Sequence, residues 1–138
     1  MTVSVNPAGP QKGRLVIRLT GVASTDNGGQ GEVENPEGAT LAVTRVFAHF
    51  LHGSTGVGNL SAGIGVTGAA PTDIASAMDV IEATVGGKVV HLPAVQVAET
   101  ENPTALWHST DVLGFTGSAS MVGLIADVYV EYIRLSAS

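Results

Sequence analysis

SASMVGLIADVYVEYIRL, residues 118–135, is the stretch whose reading decides the fold of this chain. From Asp127 onward its side chains alternate: Val128, Val130 and Tyr132 point one way, Asp127, Tyr129 and Glu131 the other. A long β-branched and aromatic run of this kind belongs in an antiparallel sheet with one dry face and one wet face. Placed at the end of the sequence, it is expected to leave little room for an appended catalytic element. It announces a β scaffold that presents surfaces.

Working outward, residues 14–22 alternate in the same way, with Leu15, Ile17 and Leu19 opposite Val16, Arg18 and Thr20. The turn Asn35-Pro36-Glu37-Gly38 leads into a strand over 40–52. There Val46, Ala48 and Phe50 share one face, and Leu41, Val43, Phe47 and Leu51 the other, the pattern of a strand in the middle of a sandwich. Residues 59–67 read as a strand interrupted by glycine, with a bulge or a close backbone approach. Residues 71–85 support two readings. Ile74, Met78, Ile81 and Val85 recur at helical spacing behind Pro71, which allows a short helix near 71–82; the alternative is a loop followed by a strand. Gly86-Gly87 closes a hairpin between 82–85 and 88–92. The expected fold is all-β, an antiparallel sandwich or jelly-roll-like single domain over 13–138, preceded by a flexible N-terminal arm over 1–12.

Composition bounds the function. Lysines and arginines number 6, against 12 acids, in 138 residues, for a net charge of −6. Nucleic-acid binding through phosphates needs clustered cations, so that role and a polybasic membrane anchor are both disfavoured. No apolar run approaches the ~20 residues of a spanning helix, and the N-terminus lacks the pattern of a signal peptide. Charged residues are only 13% of the chain and glycines number 18, which suits a domain that covers much of its surface with partners. With no cysteine there is no disulfide or thiolate site.

Motifs that would carry chemistry are weak. Gly63-Ile64-Gly65-Val66-Thr67-Gly68 matches the dinucleotide fingerprint in letters, yet its glycines fall within a strand and Pro71 separates them from any helix. His49 and His52, three apart on a strand, diverge, whereas a zinc site needs converging ligands. His91 and His108 read as satisfied core or rim residues. No Gly-x-Ser-x-Gly elbow is present and no pair of acids stands out as acid and base, so no catalytic, metal or cofactor residue is assigned. Asn59-Leu60-Ser61 fits the glycosylation pattern by coincidence. Trp107 reads either as a core or interface plug or, beside His108, as a ligand-stacking aromatic.

The landmarks Asn35-Pro36-Glu37-Gly38, LAVTRV (41–46), Thr55-Gly56, Ile64-Gly65, Asp79-Val80 and LIADVYVEYI (124–133), in that order, resemble a family of small tailed-bacteriophage head proteins of the decoration or cement kind. The likeness spans residues 35–135. It implies a non-enzymatic β-sandwich on the exterior of the virion, bound to the major capsid protein and self-associating as a trimer. The arm, through Val3, Val5, Pro7, Pro10 and Lys12, is then the candidate capsid contact. Two further readings share the composition. One is a carbohydrate-binding module of a phage fibre or adhesin, with Trp107, Tyr129 and His108 on one exposed face. The other is a low-copy head–tail or tail component.

Overall fold

The closing strand forms where its alternation placed it, as β9 (Ile125–Arg134), with Ala126, Val128, Val130 and Tyr132 buried. The structure, a computed structural model, describes residues 11–23, 31–66, 74–92 and 105–135. Before β9 come β1 (Gln11–Thr20), β2 (Gly31–Glu34), β3 (Leu41–His52), β4 (Asn59–Gly65) and β5 (Ala75–Asp79). A single helical turn, α1 (Glu82–Val85), then precedes β6 (Val89–Leu92), β7 (Ala105–Trp107) and β8 (Val112–Gly117).

The strands form two sheets, β1-β9-β3-β6 and β2-β8-β4-β5, with β7 pairing beside β6 on the N-terminal half of β3. All ladders between these strands are antiparallel. Their nesting is informative: β4 pairs with β5, β3 with β6, β2 with β8 and β1 with β9. That is one long hairpin folded at the β4–β5 turn and rolled up, with β9 against β3 and β8 against β4 completing the sheets. The result is a jelly roll, the more specific of the two expected architectures. Each sheet hides one face in a shared core led by Trp107, Phe50, Phe115, Leu41, Leu60, Leu113, Met121 and Leu124. Burying each such side chain contributes ~1.5–3 kcal/mol.

Two expectations are corrected. The strand over 40–52 does not carry apolar residues on both faces in the way its plain alternation suggested. The pairing of β3 with β9 slips between Val43 and Arg45, and this bulge switches the phase. Leu41 and Val43 before it, and Val46, Ala48 and Phe50 after it, therefore all point into the core, while Phe47 and Leu51 face outward. Thr44 sits at the bulge and donates its hydroxyl to the Glu131 carbonyl at 3.2 Å.

Of the two readings of residues 71–85, the loop followed by a strand holds over β5. The Ile74 amide bonds the Ala62 carbonyl at 3.0 Å and β5 completes the edge of β4, so a long-range ladder overrides local periodicity. Helix is confined to one turn, where the Asp79 carboxylate accepts from the Ile81 amide at 3.1 Å and the Thr84 hydroxyl at 3.0 Å. Residues 82–85 are accordingly that turn and not the first arm of a hairpin. Gln11 and Lys12, the last residues of the expected arm, pair with Arg134 and Ile133.

Candidate functional site

The outward face of the β1-β9-β3-β6 sheet concentrates the aromatic and ionic side chains that the core does not use. Register aligns them in rows across the strands. Val16, Tyr129, Phe47 and His91 form one row; Arg18, Asp127, His49 and Val89 the next. In the first, the rings of Phe47 and Tyr129 stack with centroids 4.9 Å apart and 10° between planes. His91 approaches Phe47 from the opposite neighbouring strand at 5.8 Å, and the Arg45 guanidinium lies 4.7 Å from the Phe47 centroid. Phe47 thus contacts side chains from its own strand and from both neighbouring strands. Val16 and Val89, at 51% and 59% exposure, flank the rows as apolar shoulders.

The charges of this face are largely paired. Arg18 makes a two-pronged contact with Asp127, Nε to Oδ1 at 2.5 Å and Nη2 to Oδ2 at 3.2 Å. Hydrogen bonding from Arg18 holds the Asp127 carboxyl below its usual range, and the same bond raises the guanidinium. Arg45 stands 4.0 Å from Glu131. A shallow groove of about 630 Å³ opens beside them, lined by Gly13, Arg14, Thr44, Glu131, Tyr132 and Ile133. The arrangement holds no paired nucleophile and base. Its centre is apolar and aromatic, and its ions are paired at short range.

The turn Asn35-Pro36-Glu37-Gly38 is scaffolding. The Asn35 side-chain oxygen accepts from the Glu37 and Gly38 amides at 2.9 and 3.0 Å. Its Nδ2 donates to the carbonyls of Ala39, Trp107 and His108 at 2.9, 3.0 and 3.3 Å. Gly38, at φ 66°, supplies the left-handed residue the turn requires. This one amide therefore locks the entry to β3 onto β7 and fixes Trp107.

Trp107 itself is fully buried, and its Nε1 donates to the Asp111 carbonyl at 2.9 Å. It is a core plug, and the ligand-stacking alternative is corrected on that ground. Tyr129 and His108 do not join it: Tyr129 pairs with Phe47, six positions along β3 from the Leu41 that pairs with Trp107.

Other expected positions separate as follows. Gly63 and Gly65 lie within β4, pairing with Gly114 and Val112, so the glycines sit in an antiparallel ladder and not in a strand-to-helix turn. His52 stands 3.7 Å from Glu82, and a second register shift, between Phe50 and His52, sets it opposite Ile125, two positions along β9 from the Asp127 that faces His49. Among the described residues no group of three or more His, Asp or Glu side chains is placed to hold a metal ion, and no helix is long and apolar enough to cross a membrane. Val3, Val5, Pro7 and Pro10 lie outside the described residues, and Lys12 holds a place in the β1 ladder. Sequence reasoning did not join Phe47 to His91, which it read as a satisfied core or rim residue and which is exposed, nor Arg18 to Asp127, because only the strand register brings them together.

The fold defines the class: an all-β jelly-roll domain, with a stacked aromatic row and ion pairs on one outer sheet face. No protein-family model matches the chain, and no curated protein matches it. Among solved structures it is similar to the capsid of Ralstonia phage GP4, with a TM-score of 0.47 and 15% sequence identity, covering 99% of this chain and 93% of that chain.

Proposed function

We propose that this chain is a non-enzymatic structural protein of a tailed-phage virion, bound to the exterior of the capsid lattice as a decoration or cement protein. The observation that carries the reading is the outer face of the β1-β9-β3-β6 sheet, where a self-stacked aromatic row and short-range ion pairs make a surface fit for burial against a partner. The sequence landmarks that resemble the decoration family support it from a second side. Residues of two of them, Asn35 and Tyr132, are the ones that tie the fold together. The partner is the major capsid protein, and the arm with Val3, Val5, Pro7 and Pro10, leading into Lys12 at the start of β1, extends the contact to a neighbouring capsid subunit. Self-association of copies belongs to the same reading. Affinity on the lattice comes from apolar area, roughly 25 cal/mol per Å² before association costs, multiplied by repetition over the shell.

Co-sedimentation of the purified chain with capsid shells lacking it tests the proposal. Saturable binding at a fixed ratio to the capsid subunit, weakened by Phe47→Asp on the outer face, is expected. Absence of binding to such shells would remove the reading.

A further inference from the structure

We infer that the uncharged tip of the sandwich, formed by residues 53–58 and 118–124, is where two copies of this chain meet, the same patch on each, about a two-fold axis. The contact is too small to hold free copies together at ordinary concentration and forms where copies are crowded. It goes beyond the proposed function and does not depend on any shell.

Val57, at 83% exposure, is the most exposed large apolar side chain among the described residues, and Val122, at 48%, stands on the adjoining loop. The two loops, one from β3 to β4 and the other from β8 to β9, are laced together. The Val122 carbonyl accepts from both the amide and the hydroxyl of Thr55, at 3.0 and 3.1 Å. Gly58, next to Val57, lies against the side chain of Met121, next to Val122. Gly123, at φ 95°, lets the loops close: a Cβ there would stand 2.7 Å from the Thr55 Cγ2. The two valines therefore belong to one fixed patch.

Covering this patch costs little hydration, because its polar groups are already turned on one another. Ser54 and Thr55 donate their hydroxyls to the carbonyls of Gly56 and Val122, at 2.8 and 3.1 Å. The hydroxyls of Ser118 and Ser120 accept from the amides of Asn59 and Val122, at 2.9 and 3.4 Å. A covered polar group that keeps its hydrogen bond loses far less than one left without it.

Charge selects the occupant. Neither loop holds a charged residue, in a chain of net charge −6. Glu82, which borders the tip, is engaged with the Gly53 amide at 2.7 Å and stands 3.7 Å from His52. An anionic lipid surface or an ion-rich protein face finds no counter-charge here. A neutral apolar patch is complementary to itself, which is what a two-fold contact requires. Its size sets the strength: stable dimers use roughly 20–30 residues a side, more than two short loops offer, so the pair should dissociate at about millimolar concentration. Copies tethered side by side reach such effective concentrations.

Amide spectra of the full chain by nuclear magnetic resonance, recorded from about 0.05 to about 2 mM, test this across that range. Shift changes confined to 53–58 and 118–124 should grow with concentration while tumbling slows toward that of a dimer. Raising salt from about 0.05 to about 0.5 M should strengthen the pair by screening the net charge, whereas an ion-paired contact would weaken. Val57→Lys, at a position exposed enough to leave the fold intact, should weaken it at least about tenfold, and Val57→Ile should not. Spectra indifferent to concentration, changes centred elsewhere, a trimer, or pairing unaffected by Val57→Lys would overturn the inference. A chain that stays monomeric yet binds shells would do so while leaving the proposed function standing. If Val57→Lys abolished that shell binding, the tip would belong to the capsid subunit instead.

Discussion

The Tyr132 hydroxyl donates a 2.6 Å hydrogen bond to the Glu37 carboxylate, joining the closing strand to the turn that opens β3 across a sequence separation of 95. Tyr132 is 5% exposed; burial, reinforced by the carboxylate beside it, pushes its pKa up to about 12. The consequence for stability has a definite sign. An unfolded tyrosine ionises near pH ~10, so the fold favours the neutral form and the stabilisation is complete below that pH. It is lost as pH rises through about 12. Unfolding midpoints measured from about pH 9 upward should fall steeply for the wild type and more gently for Tyr132→Phe. At neutral pH the same variant should cost ~1 kcal/mol, the net value of a hydrogen bond.

Gly13 lies under that ring. A Cβ built on it would stand 2.5 Å from the Tyr132 Cζ, closer than any real contact allows. Gly13→Ala should therefore destabilise the protein by ~1–3 kcal/mol, as overpacking does. Denaturant titration would show it, and an unchanged midpoint would contradict the placement of Tyr132.

Asn35 acts through an amide that both gives and receives. Asn35→Ala should cost ~1–3 kcal/mol by leaving carbonyls and amides of the β2–β3 turn and β7 unmatched. Asn35→Asp should be nearly as damaging, because a carboxylate cannot donate to Ala39, Trp107 and His108. Comparison of the two midpoints separates loss of donors from loss of the side chain as a whole.

Trp107 should behave as interior. Its emission is expected to be blue-shifted, resistant to soluble quenchers and unaltered by polysaccharide. Trp107→Ala should cost ~3–5 kcal/mol. Quenching by a carbohydrate would contradict the burial of the ring.

Much of this architecture was legible from side-chain alternation, and what escaped it has physical causes. The facing of β1 and β9 followed directly from period-two patterning, since each keeps one unbroken phase along its length. β3 misled because a single bulge at Thr44 reverses its phase, and no local residue preference marks that position. Residues 74–79 left two readings open because nothing in their helical spacing shows the demand of β4 for a ladder partner, which decides for a strand. The outer face was the least legible part. Phe47, Tyr129 and His91 lie on three strands from distant stretches of chain, and only the register of β3 with β9 and β6 makes them one row. Trp107 was visible as important, while its burial depended on Asn35, 72 positions away, holding β7 in place.

The most direct test of the central claim is the number of copies of this chain in purified particles made by the genome that encodes it, counted against the major capsid subunit. A lattice decoration protein predicts a ratio near one copy per capsid subunit or a simple fraction of it. A handful of copies per particle would place the chain at a portal, tail or fibre, and complete absence from the particle would contradict the account.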